Sequence, residues 1–292
     1  MAAIIKPTIS IMRFDVSSDG RSIACVGYNN DGTSGHSVEA IDIEKKDVRH
    51  FAPVSLREGL RSSQSPFNPL VFSPDGVLLA LAGSDGSVTV WDWETKNQKH
   101  SFEFFKADAK DVDFSPDGRY LAVVGCGGRV KVWDVVTGKK KATFSARSWY
   151  SYTVAFSPDG IHLVWTGEHC RLTVMNLTTK AELYSYRIPS FQMDDFADMC
   201  VSLDGRHIAI AGIHKSKTKV FDFNTGRELF TFRGWANVRG LFSGRPLYRH
   251  RVGSWSFDLV SERKTLCRSG SRRHELASLG SFFPEQSTSG DN

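Results

Sequence analysis

The stretch FSPDGRYLAVVGCGGRVKVWD, residues 114–134, holds two turns and two strands in the order that decides the fold. In Ser115-Pro116-Asp117-Gly118, proline presets φ at the second position, aspartate supports the bend through its side chain, and glycine accepts the positive φ that closes it. Residues 119–124 are rich in Tyr, Leu and Val and predict a strand; the glycines of 125–128 turn the chain back. Residues 129–135 then alternate with a period of two, as a half-buried strand does. Working outward, 112–114 close a preceding strand, 136–139 make a polar turn, and 140–144 supply a fourth strand.

The same pattern recurs along the chain. FSPDG stands at 72–76, 114–118 and 156–160, 42 residues apart each time, flanked by VSSDG at 16–20, VSLDG at 201–205 and a degraded FSGRP at 242–246. A second marker follows in phase: Trp91-Asp92, Trp133-Asp134, Met175-Asn176 and Phe221-Asp222, with weaker copies at Ile41-Asp42 and Phe257-Asp258. Two markers in one phase define a repeat of four short strands. Such a sheet cannot bury both faces alone, but stacked radially with its neighbours it can, leaving only short, protected edges. The expected fold is all-β, a β-propeller of four-stranded antiparallel blades with six recognisable repeats, closed by an N-terminal strand or, as the alternative, carrying a degenerate seventh blade that begins at 276–283. The propeller is expected over 1–285, with a polar, disordered tail at 286–292, and residues 2–5 are a candidate strand to close the ring. The interval from Gly20 to Gly76 is 14 residues longer than one period; the surplus falls in 53–69, rich in Ser, Arg and Pro, and predicts an extended loop.

Repeats near 40 residues ending in Trp-Asp resemble the WD-repeat family of propellers, over roughly residues 9–268 and most specifically in the second, third and fourth units. The resemblance implies a scaffold that binds other proteins through one loop-rich face. It also shows a departure. Family repeats often carry a Gly-His pair ahead of the first strand, whose His joins a buried network with the Trp and an Asp, and no such pair stands here. Blades are then expected to rely on apolar packing and turn geometry, with lower stability than a fully motif-bearing member.

Composition fits this reading. Of 292 residues 40% are hydrophobic and 24% charged, the balance of a globular chain. No apolar run approaches the roughly 20 residues that cross a bilayer, and MAAIIKPTIS does not read as a secretory signal. A cytoplasmic location is expected, with the nucleus as the alternative. The five cysteines, at 25, 126, 170, 200 and 267, are odd in number and lack CxxC spacing, so they read as small core hydrophobes. The net charge of +5 is uneven: from Arg227 to Arg273 eleven Lys or Arg stand against three acids, which leaves the rest of the chain slightly acidic.

The sequence holds no GxSxG elbow, HExxH, phosphate-binding glycine loop or EF-hand loop, so no enzyme, metal or cofactor is expected. Gly125-Cys-Gly-Gly128 reads as a tight turn. His169-Cys170 reads as a loop histidine beside a half-buried cysteine, because adjacent strand residues point to opposite faces. Asp194, Asp195 and Asp198 read as a solvated acidic loop, available to a basic partner.

The resemblance places the family's binding face at the connections between blades and between second and third strands. Those carry Lys106, Asp108, Asp85, His169 and His214, and the candidate partner-binding residues Arg147, Trp149, Tyr150, Asp194, Asp195, Trp235 and Arg239. Trp149 and Trp235 have a second reading, as fillers of gaps between blades. The alternative function is nucleic-acid binding by the basic region 245–273, with Arg245, Tyr248, Arg249 and Arg251 as contacts; its bland counterpart is the solvent face of an outer blade. A propeller enzyme with its site in the central channel is a further alternative, with no residues to assign. The expected partners are other proteins, with this chain as a subunit of a larger complex.

Overall fold

In the computed structural model the described residues are 8–30, 36–45, 47–50, 70–83, 86–104, 109–146, 149–188, 196–212 and 217–233. All lie in the first of the two units into which the chain divides, Met1–Gly244. They form five four-stranded antiparallel sheets, each with its strands in chain order. Blade 1 comprises β1 (Ile9–Val16), β2 (Ser22–Asn29), β3 (His36–Asp42) and β4 (Asp47–His50). Blade 2 comprises β5 (Leu70–Phe72), β6 (Leu78–Ala82), β7 (Ser87–Asp92) and β8 (Asn97–Glu103). Blade 3 comprises β9 (Ala109–Phe114), β10 (Tyr120–Gly125), β11 (Arg129–Asp134) and β12 (Lys139–Ser145). Blade 4 comprises β13 (Ser151–Phe156), β14 (His162–Gly167), β15 (Arg171–Asn176) and β16 (Glu182–Arg187). Blade 5 comprises β17 (Phe196–Val201), β18 (His207–Gly212), β19 (Lys217–Asp222) and β20 (Glu228–Arg233).

The all-β propeller of four-stranded blades is therefore present, and the blade number is corrected: the described residues form five blades where the markers predict six. The sixth copy differs from the others in a way that bears on its turn. Arg245 and Pro246 stand where the other copies have Asp and Gly. That copy, the candidate closing strand 2–5, the loop 53–69, the stretch 276–283 and the tail 286–292 all lie outside the described residues.

Each first turn is braced by the same three residues, serine, aspartate and glycine. The Ser17, Ser73, Ser115, Ser157 and Ser202 hydroxyls each donate to the aspartate two positions on. Each also accepts the backbone N–H five positions on, at 2.8–2.9 Å. The aspartate in turn accepts the N–H two residues beyond it, at 2.9–3.0 Å. Glycine closes the turn at φ between 69° and 75°, a conformation that disfavours any side chain. Serine is thus as constant a member as aspartate and glycine, whereas proline occurs in only three of the five turns. The second marker does comparable work: the Asp or Asn of each Trp-Asp equivalent accepts backbone N–H groups of the following turn. No His-Trp network is needed for Trp91, whose indole donates to Thr89 of its own strand at 2.9 Å.

Blades are joined by shared cores. On the second strands, alternate residues enter opposite cores. Leu79 and Leu81 meet blade 1 while Ala80 and Ala82 meet blade 3. Leu121 and Val123 meet blade 2 while Ala122 and Val124 meet blade 4. The larger side chains face the preceding blade and the smaller ones the next, so successive sheets interdigitate at interior density. Aromatic pairs repeat across the joints: Phe102 stacks on Trp133 at 5.1 Å, and Tyr186 meets Phe221 edge-on at 6.2 Å. Where blade 4 has Met175 in place of the tryptophan, Phe144 stacks on Trp165 of the neighbouring strand instead. First strands of consecutive blades run side by side. Carboxylates cross that seam: Asp15 accepts the N–H of Phe72, and Asp111 and Asp113 accept those of Val154 and Phe156, all at 2.8–2.9 Å.

Two predictions follow from these joints and turns. Leu121→Ala removes a fully buried side chain and is expected to cost about 2–5 kcal/mol, read as a lower urea midpoint. Asp19 is held below the ordinary carboxylate value by the Ser17 hydroxyl and the Arg21 N–H. At Asp117, Asp159 and Asp204 burial pushes the other way, but the serine hydroxyl and backbone N–H outweigh it. A carboxylate with a depressed folded value stabilises above its unfolded pKa of about 3.9 and loses that contribution as pH falls through the folded value. The denaturation midpoint should therefore drop below about pH 4, and less steeply when Asp117 and Asp159 are replaced by Asn.

Candidate functional site

Antiparallel order places the two braced turns of every blade at one end of its strands. The opposite end carries the second-to-third-strand turns and the connections between blades. At that second end, the joint of blades 3 and 4 is fastened by backbone hydrogen bonds. The carbonyl of Trp149 accepts from Gly127 at 2.9 Å and from Gly128 at 3.1 Å, both in the turn between β10 and β11. Its N–H donates to Glu168 Oε2 at 3.0 Å, in the short 3-10 turn Glu168–Cys170 between β14 and β15. Glu168 returns its own N–H to the Tyr150 carbonyl at 3.1 Å, and Tyr150 bridges to Cys126. One inter-blade connection is thereby fastened to a turn on each side.

The fastened backbone presents its side chains outward. Trp149 is 64% exposed and Tyr150 40%. Of the two readings of Trp149, the exposed one fits this position, since a gap-filling ring would be buried. His169 is exposed with φ at 58°, while Cys170 beside it is 1% exposed; the two point apart as expected, the cysteine more deeply buried than the sequence suggests. Gly127 and Gly128, at φ 103° and 67°, form the tight turn read from the sequence. Their role as donors to Trp149 was not legible there, because it joins residues of two different strand connections.

The strand ends beside this joint are basic. Arg129 opens β11 next to Gly128 and is exposed. Arg171 opens β15 next to Cys170 and lies directly opposite Arg187, the last residue of β16. Arg171 Nη1 donates to Ser185 at 2.9 Å, and Arg187 is exposed. Lys131 is held below its ordinary value, first by burial and then by the repulsion of Lys140 and Arg129. The three arginines went unremarked in the sequence because they look like ordinary strand-end charges; the 42-residue spacing of Arg129 and Arg171 was the available signal.

Of the candidate partner-binding residues, Trp149 and Tyr150 are thus brought together. Arg147, Asp194, Asp195, Trp235 and Arg239 lie outside the described residues, as do Lys106, Asp108, Asp85 and His214. The same holds for Arg245, Tyr248, Arg249, Arg251 and the whole basic region 245–273. Asp198 is described, half-buried on β17, where its carboxylate accepts the N–H of Met199 at 3.0 Å. The four described cysteines, 25, 126, 170 and 200, are buried. Burial, and secondarily Glu39, pushes the Cys25 thiol up to about 12. Among the described residues no group of three His, Cys, Asp or Glu is placed to hold a metal ion.

Residues 46–132 are similar to the eukaryotic translation initiation factor eIF2A family. The matched stretch runs from β4 to β11 and covers less than a third of the chain. It includes two of the FSPDG turns, Trp91-Asp92 and the Gly127-Gly128 side of the Trp149 joint, and it ends before Trp149 itself. A comparison with curated proteins finds no match. Among the described residues no helix is long and apolar enough to cross a membrane.

The fastening of Trp149 is testable by itself. Gly127→Ala puts a side chain where φ is 103° and is expected to cost about 1–2 kcal/mol. Trp149→Ala, which removes an exposed ring, should leave the unfolding free energy from urea titration within about 0.5 kcal/mol of the wild type.

Proposed function

We propose that this chain is a non-catalytic platform that binds protein partners through the face carrying the inter-blade connections. The observation that supports this is Trp149: a large ring, 64% exposed, on a backbone held by three hydrogen bonds. Tryptophan and tyrosine are enriched among the residues that contribute most to interface affinity, and a rigid anchor loses little entropy when it docks. The similarity of residues 46–132 to a translation initiation factor family supports a place in translation initiation, as a subunit of a larger complex in the cytoplasm. No catalytic residue, metal or cofactor belongs to this reading.

Affinity purification of the tagged full-length protein, followed by mass spectrometry, tests it. Wild-type protein should retain a defined set of partners, and Trp149→Ala should weaken the principal one by about 30-fold or more, the loss of an interface anchor. An unchanged partner set in that variant, or turnover of a substrate by purified protein with no partner retained, would overturn the proposal.

A further inference from the structure

The rim around Trp149 carries a charge pattern that protein docking does not require. Arg171 and Arg187 are directly opposed on antiparallel strands, an arrangement that costs stability because like charges face each other. The same register recurs in blade 5, where Lys217 lies opposite Arg233. In blade 3 the equivalent pair is Arg129 and Ser145, and in blade 2 it is Ser87 and Glu103.

Among the described residues no carboxylate forms an ion pair with Arg129, Arg171 or Arg187. The acid nearest in the chain to this rim, Glu168, is turned onto the Trp149 N–H. Backbone bonds make the strip continuous: Arg129 follows Gly128, which donates to Trp149; Tyr150 is bonded to Glu168; and Cys170, next to Arg171, accepts from Ile188, next to Arg187. Two exposed aromatic rings thus share this strip with arginines that have no carboxylate ion-pair partner among the described residues.

We infer that this rim binds single-stranded nucleic acid, with bases stacked on Trp149 and Tyr150 and phosphates held by Arg129, Arg171 and Arg187. Each element matches what such a strand offers. Every base has a π-face, so an exposed ring serves as a platform without sequence preference, and the polyanion supplies counter-charge to the opposed arginines. An extended strand also suits a row of sites along a rim, where a folded partner would need a broad surface. The inference rests on the reading of this end of the blades as the binding face, and it differs from the reading of the basic region 245–273 in placing the contacts on blades 3 and 4.

Fluorescence anisotropy of the full-length protein with fluorescein-labelled oligouridine, and with the matching oligodeoxythymidine, each of about 16 nucleotides, tests it. Binding should weaken about tenfold in Trp149→Ala and be retained in Trp149→Phe, which keeps a stacking ring. In Arg129→Gln/Arg187→Gln, the slope of log affinity against log salt should fall by about 1.4, the loss of two phosphate contacts at about 0.7 each. Arg187→Gln by itself should raise the melting temperature, because it removes the like-charge pair, while it lowers affinity; an arginine with a structural role would lower the melting temperature. The ratio of the two oligonucleotide affinities assigns the natural strand, and binding of either one supports the inference. It is overturned if neither oligonucleotide binds, if the variants bind as wild type does, or if a polyglutamate peptide displaces the strand at equal charge concentration. Loss of protein capture in Trp149→Ala with unchanged oligonucleotide affinity would sink this inference and leave the platform reading standing. The converse result would uphold it and remove Trp149 from the protein interface.

Discussion

Each sheet in this chain is apolar on both faces, and the burial of the second face against a neighbouring sheet is the interaction on which everything else rests. Leu79 and Leu121 turn toward the preceding blade and Ala80 and Ala122 toward the next, all fully buried. A four-stranded sheet with such a sequence exposes too much hydrocarbon to exist alone in water, where each buried leucine or valine contributes about 1.5–3 kcal/mol. The pairing of large side chains with small ones sets the spacing between blades, and aromatic contacts such as Phe102 on Trp133 fill the joints. Where the tryptophan is missing, Phe144 finds Trp165 on the adjacent strand. The joint tolerates the change because it needs an aromatic surface of the right size, and the ring can come from either strand.

With apolar packing holding the blades together, the turns have only to fix where each strand begins. The Ser-x-Asp-Gly brace does so without a buried polar network: hydroxyl, carboxylate and backbone N–H satisfy one another within seven residues. Such local closure leaves no unpaired group for the core to accommodate. It also leaves one end of the blades largely occupied with its own hydrogen bonding. At the opposite end, among the described residues, Trp149 reaches across the joint of blades 3 and 4 to Gly127, Gly128 and Glu168. The exposed rings of Trp149 and Tyr150 stand at that end, and the proposed binding face is placed there for that reason.

The repeat was legible because it is local. Phase, turn chemistry and the period-two alternation of the third strands sit within single units, and each unit carries its own copy of the signal. Less was legible where the partner lies in another unit. The serine of each turn went unread beside the more familiar proline, although it occurs in all five braced turns and proline in three. Trp149 was a candidate without a decided role, because exposure depends on what the neighbouring turns cover. Arg171 and Arg187 are 16 positions apart in sequence, and their opposition follows from strand register alone.

By itself, then, the sequence determined the all-β class, the four-strand unit and the positions of its turns, since these follow from dihedral preferences and side-chain alternation within about 40 residues. Only the tertiary structure decided that the described residues make five blades, that Trp149 stands in solvent on a fastened backbone, and that three arginines share its rim. Those outcomes depend on which blade faces which, and distances between units are fixed by packing, which no single repeat encodes.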